Sequence, residues 1–266
     1  MSYYTKYQAF IEDNFYIIDK TGTTLPFRLN EIQSVYVSQD STQKDLILKA
    51  RQQGFSSLIL AIFATDFILK QNTRSVVVAD IDDNASELLD RVKQYIRSYE
   101  EVNKIKIPLK YNSKTELLNE FNGSRYTIGT AKNTDFGRSK TINNLHLSEF
   151  AFYPNAERIL ASVVQAVPEN GRTIIETTAN GFNYFKEFWD KSVSGETGYK
   201  AHFYGASRFY SPEFLQSKSM ELQRMFKQEY PDTAMEAFLS SGDLYFDSEA
   251  LEYYMSNGVE PIGTYV

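Results

Sequence analysis

From about residue 45 onward, short apolar runs alternate with longer stretches whose apolar positions recur at helical spacing. That alternation is the pattern of βαβ units, in which strands are buried on both faces and helices carry the chain back across the sheet. Strands are expected at Asp45–Ala50, Ser75–Asp80, Tyr126–Thr130, Asn144–Ser148, Thr173–Thr177 and Tyr199–Tyr204. Helices are expected at Ser57–Lys70, Asn84–Glu101, Ala156–Ala166 and Asn183–Ser192, the second with Leu88, Leu89, Val92, Tyr95 and Ile96 on one face. The expected fold is therefore α/β: a mainly parallel sheet flanked by helices, with a small helical subdomain at its C-terminal end. Residues 1–44 read as a helical preamble to a core that runs to residue 204. Over 205–266, Pro212, Pro231 and Pro261 punctuate short helices, and the final SNGVEPIGTYV has the Gly/Pro content of a linker or domain edge.

Composition narrows the class. At 266 residues, 42% hydrophobic and 15% aromatic, the chain can fill one large core. Its longest apolar run, 58–69, is interrupted by Thr65 and Asp66, and it falls short of the roughly 20 residues that span a bilayer. The start, MSYYTKYQAFIED, lacks the features of a secretion signal, so the chain is expected in the cytoplasm with no membrane partner. There is no cysteine and only His146 and His202, so any metal is expected to be held by oxygen. A net charge of −6 opposes a protein that coats nucleic acid through its overall field. It leaves room for one local basic surface or a ring of subunits.

Three segments carry candidate chemistry. Lys49-Ala50-Arg51-Gln52-Gln53-Gly54-Phe55-Ser56-Ser57 lies between an expected strand and an expected helix, where free N–H groups and the helix dipole receive a phosphate. Gly54 and Ser56 fit the phosphate-loop (Walker A) pattern, but Phe55 stands where its lysine should be. Lys49 is expected to curl over the β- and γ-phosphates instead, with Arg51 as a second charge. On that assignment Lys49→Ala should abolish hydrolysis and Phe55→Ala should spare most of it. The segment alone fits a basic turn equally well. The second segment, NNLHLSEF at 143–150, ends a strand in Ser148-Glu149. Glu149 is the candidate base for an attacking water. Ser148 sits at the metal-supporting (Walker B) position, so Mg²⁺ would lean on Ser56, Ser148 and water. The bland reading of Glu149 is a solvated strand cap. The third segment, TIIETTANGFNYFKEFW at 173–189, puts Thr178 and Asn180 at the carboxyl edge of the sheet, where open α/β sheets bind ligands. Its Asn-Gly also makes a simple turn.

In this order the segments resemble the ATPase domain of the large terminase subunit of tailed bacteriophages. LKARQQGFSS is similar to that family's deviant first loop, HLSE to its second motif and TTANGFNYF to its coupling motif. Leu29 and Gln33 in PFRLNEIQ match an adenine-side motif, and EYPDTAMEAF resembles the stretch that closes the motor domain. The resemblance covers roughly 25–250. It implies a P-loop NTPase of the ASCE/RecA-like kind that hydrolyses ATP with Mg²⁺ to drive double-stranded DNA into a procapsid. The implied partners are the portal protein and the small terminase subunit, and the implied assembly is a homo-oligomeric ring, monomeric when isolated, in the host cytoplasm. It assigns nucleotide binding to Gln33, Lys49, Arg51, Gln52, Gln53, Gly54, Phe55, Ser56 and Ser57, water activation to Glu149, and coupling to Thr178 and Asn180. Arg51 and Arg138 are the candidate arginines for the transition state, with Arg138 acting from a neighbouring subunit and Arg125 and Arg158 as competitors. The nuclease that follows in the family is expected to be absent, because the chain stops at Val266. The alternatives are a helicase-like P-loop ATPase and a scaffold that keeps nucleotide without turning it over.

Overall fold

The computed structural model describes residues 5–39, 43–132 and 141–241, together with 253 and 257. In chain order its elements are α1 (Thr5–Asn14), β1 (Tyr16–Ile18), β2 (Thr24–Pro26), α2 (Glu31–Ser38), β3 (Lys44–Lys49), α3 (Phe55–Leu69), β4 (Arg74–Ala79) and α4 (Asp82–Asn103). Then come β5 (Leu109–Asn112), β6 (Glu116–Asn119), β7 (Arg125–Thr130), β8 (Asn144–Ser148), α5 (Ala156–Val164), β9 (Arg172–Thr177), α6 (Tyr184–Val193) and β10 (Lys200–Tyr204). The chain continues through α7 (Pro212–Leu222), α8 (Phe226–Glu229) and α9 (Ala234–Ser240).

The main sheet has the order β10-β3-β9-β8-β4-β7-β6-β5. The six expected strands pair in parallel throughout. Two strands were not expected: β6 runs antiparallel to both β7 and β5 and extends the sheet at one edge. Their sequences, LKYN and ELLN, are short and half polar, and at a sheet edge such strands need no long apolar run. The preamble likewise holds more than helix, since β1 and β2 form a separate antiparallel ribbon between α1 and α2.

Each central strand feeds two cores because its side chains alternate between faces. Ile47 and Ile174 join Ile11, Phe63 and Val92 of α1, α3 and α4 on one side. Leu46, Leu48 and Ile175 join Ile159, Phe185 and Phe238 of α5, α6 and α9 on the other. Every residue of α3 from Leu58 to Phe67 is buried, so this helix is apolar all round and lies inside the protein. Its two polar interruptions are satisfied there. Thr65 Oγ1 donates to the Ala61 carbonyl, and Asp66 accepts from Tyr7, Asn144 and Arg172 and pairs with Lys70. No helix among the described residues is long and apolar enough to cross a membrane.

Candidate functional site

The loop between β3 and α3 is shaped from both sides. Asn30 and Gln33 form a capping box at the start of α2, and the same two side chains reach across to the loop. Asn30 Nδ2 donates to the Gln53 carbonyl at 3.3 Å and Gln33 Nε2 to the Gly54 carbonyl at 2.8 Å. Gly54 has φ +79°, a left-handed conformation that glycine takes at little cost, and a Cβ there would meet Gln33 Nε2 at 2.7 Å. Gln53 Nε2 donates to the Gly205 carbonyl, and Gln52, also left-handed at φ 59°, accepts from Lys20. The sequence suggested that Gln33 reads adenine. The structure spends its amide oxygen on the Asn30 N–H and its nitrogen on Gly54, so it braces the loop.

Phe55 departs most from expectation. It opens α3 with its ring fully buried, 4.6 Å from the Tyr204 ring and 5.8 Å from that of Tyr36. The lysine position of the loop is therefore a core anchor here, and its contribution to the loop is its backbone. Ser57 Oγ accepts from Arg91 of α4, and its carbonyl accepts from the Tyr95 hydroxyl. The cleft in front of the loop, about 990 Å³, is bordered by Lys49, Gly54, Ser56, Arg91 and Glu149.

Lys49 does not curl over the loop. Its ammonium is buried, 3.2 Å from Glu149 Oε1 and 3.1 Å from Glu176 Oε2. Burial by itself would favour the neutral amine, but the two carboxylates outweigh it and hold the group above the usual lysine range. Glu149 follows β8 with φ 55°, a strained conformation for a non-glycine residue of the kind that gathers at functional sites. Its Oε2 accepts from the Thr178 N–H at 3.3 Å. Burial raises its pKa above the ordinary glutamate value, and Lys49 opposes that rise.

Glu176 is the residue that sequence reasoning missed. It is fully buried on β9 in register with Ser148. Its Oε1 accepts from Ser56 Oγ at 2.8 Å and Ser148 Oγ at 2.7 Å, and lies 3.3 Å from His146 Nε2. Burial would raise its pKa, yet the Lys49 charge and the His146 and Ser148 hydrogen bonds hold it far below the usual carboxylate range. The signal for it was a lone acid inside the run RTIIET, whose residues are otherwise apolar, hydroxyl-bearing or at the strand start. Ser148 thus meets a carboxylate, although none stands at its own position.

The remaining candidates divide. Asn180 Nδ2 and Asn183 Nδ2 both donate to the Ala151 carbonyl, in the turn just after Glu149, and the Ala151 N–H donates to Thr177 Oγ1. Thr178 reaches Glu149 through its backbone. Arg51, expected on phosphate, is more than half exposed and pairs with Glu229 of α8 at 2.8 Å. Arg125 opens β7, at the sheet edge opposite the loop, and is bound to Glu116. Arg158 is exposed on α5. Arg138 lies outside the described residues.

No protein-family model matches the chain. Its structure is similar to that of the Thermus phage P74-26 large terminase ATPase domain, with a TM-score of 0.60 at 15% identity over 77% of this chain and 93% of that one. The large terminase of bacteriophage HK97 aligns with a TM-score of 0.67 at 17% identity, over 87% of this chain and 55% of that one. The large terminase of a thermophilic bacteriophage, in complex with ATP-γ-S, aligns with a TM-score of 0.57 at 9% identity, over 76% and 51%. The mainly parallel, helix-flanked sheet thus has the fold of phage large terminase ATPase domains. The chain spans nearly all of the isolated ATPase domain and about half of the two longer terminases.

Proposed function

We propose that this chain binds ATP with Mg²⁺ at the β3–α3 loop and hydrolyses it to move double-stranded DNA into a procapsid. The observation that carries the reading is the convergence of Ser56, Lys49 and Glu149 at the carboxyl edge of the sheet, beside a glycine loop that opens a helix. The likeness to large terminases, one of them solved with ATP-γ-S, supports it at the level of fold.

In this reading the N–H groups of 53–57 bind the phosphates through the α3 N-terminus. Lys49 offsets phosphate charge from the floor of the site. Glu149 accepts the proton of the attacking water, and its contact with Lys49 keeps its carboxylate beside the transferred group. Oxygen donors line the point where a cation would sit, with one carboxylate among them, which suits a hard ion that keeps waters and phosphate ligands. Among the described residues no cluster of three or more His, Asp or Glu could hold a metal on its own, so the cation arrives with nucleotide. Mg²⁺, when bound, neutralises charge on the phosphate oxygens. The bonds from the Thr178 N–H to Glu149 and from Asn180 to Ala151 form the route by which the loop after β9 responds to the site. We assign 1–204 to the ATPase core and 205–266 to a C-terminal subdomain. The working assembly is a homo-oligomeric ring with the portal protein and the small terminase subunit, in which Arg138 serves the neighbouring site.

Phosphate release from ATP by the purified chain tests the reading. Magnesium-dependent release that Glu149→Gln abolishes is the expected result. Tight ATP binding without release from the parent, alone or with DNA, would establish the scaffold alternative.

A further inference from the structure

P-loop sites need an acid near the loop hydroxyl, and at the end of β8 this chain has Ser148. One strand over, Glu176 lies in register with Ser148 and is fully buried. A buried carboxylate is costly unless it is paired and hydrogen-bonded. Glu176 gathers four polar partners from four positions: Ser56 of the loop, Ser148 and His146 of β8, and Lys49 at the end of β3. The Ser56 contact distinguishes this arrangement from a packing device, because it joins the carboxylate to the hydroxyl that a phosphate loop presents to a cation.

We propose that Glu176 supplies from β9 the carboxylate that Ser148 lacks on β8, and that it orients Ser56 and the water shell of nucleotide-bound Mg²⁺. Ser148 is then a donor that aims the carboxylate. This inference rests on the ATP reading above and adds to it a positioning residue on a neighbouring strand. A division of labour follows: Glu149 faces water, and Glu176 faces the loop hydroxyl. The Lys49 ammonium, 3.1 Å from Glu176, disfavours a cation that comes without phosphate.

The test compares ATP affinity with excess Mg²⁺ against affinity in EDTA, measured by calorimetry, so that it does not depend on turnover. In the parent, Mg²⁺ should tighten binding. Glu176→Gln should reduce that enhancement by about 10–100-fold, the usual effect of losing a group that orients a metal's ligands. Its affinity in EDTA should stay near that of the parent. Glu149→Gln should keep the full enhancement. Ser148→Ala, which keeps the carboxylate but removes the hydroxyl that aims it, should lower the enhancement by less than Glu176→Gln does, and this variant provides the test if Glu176→Gln does not fold. Full enhancement in a folded Glu176→Gln, or in a folded Ser148→Ala, would overturn the proposal. A parent that binds no ATP under either condition would overturn the underlying functional reading with it.

Discussion

The contact between Gly54 and Gln33 gives a sharp test of how the loop is held. Gly54→Ala places a Cβ on a backbone at φ +79°, 2.7 Å from Gln33 Nε2. The left-handed conformation costs an L-residue about 1–2 kcal/mol. The amide must then swing away, losing its bond to the Gly54 carbonyl, worth about 1 kcal/mol, and its half of the capping box, worth about 1 kcal/mol more. The single substitution should therefore cost about 3–4 kcal/mol by these terms, and Gln33→Ala about 2 kcal/mol. Once Gln33 is gone the new Cβ meets nothing at 2.7 Å, so the two bonds are counted once. The double variant should cost about 3–4 kcal/mol and show a coupling of about 2 kcal/mol. Urea unfolding followed by Trp189, the single tryptophan, reads these values. A fluorescent ATP analogue reads the parallel loss of affinity in Gly54→Ala, where the N–H groups at the start of α3 are displaced. If the two substitutions add within about 0.5 kcal/mol, the amide is not what braces the loop.

Other outcomes follow from the same geometry. Lys49→Ala should abolish hydrolysis and cost about 3–5 kcal/mol, because it leaves Glu149 and Glu176 facing each other unpaired; hydrolysis at the parent rate would refute the lysine assignment. Phe55→Ala should also lose about 3–5 kcal/mol, since it empties the space between Tyr36 and Tyr204, so the mild effect expected from sequence gives way to a folding defect visible as a lowered Tm. Burial raises the Glu149 pKa, and a base works only when deprotonated. Hydrolysis should therefore fall as pH drops through a midpoint above the usual glutamate range, and Glu149→Gln should bind ATP yet turn over at least about a hundredfold more slowly with no such limb in its pH–rate profile. Mixing Arg138→Ala with Glu149→Gln should restore part of the activity if Arg138 acts between subunits, and near-zero activity at every ratio in an assembled sample would rule that out.

Features that depend on local pattern could be read along the chain. Periodicity located the six parallel strands within a residue or two, because their short apolar runs stand apart from the longer helical stretches between them. The loop at 49–57 and Glu149, each open to a blander reading alone, became legible through the joint order of the three segments. Which groups meet depended on the folded sheet. Strand order put β9 beside β8, so an acid in RTIIET came to lie against Ser148 and Ser56; register between strands distant in sequence is set by packing that no local window contains. Packing also turned Phe55 inward to Tyr204. It drew Arg51 to Glu229 on α8, and it buried Lys49 between two carboxylates where the sequence suggested a free cation. The types of residue at the site were written along the chain, while their partners were settled by the folding of the sheet, because hydrogen bonds and charge pairs depend on distances that sequence separation does not encode.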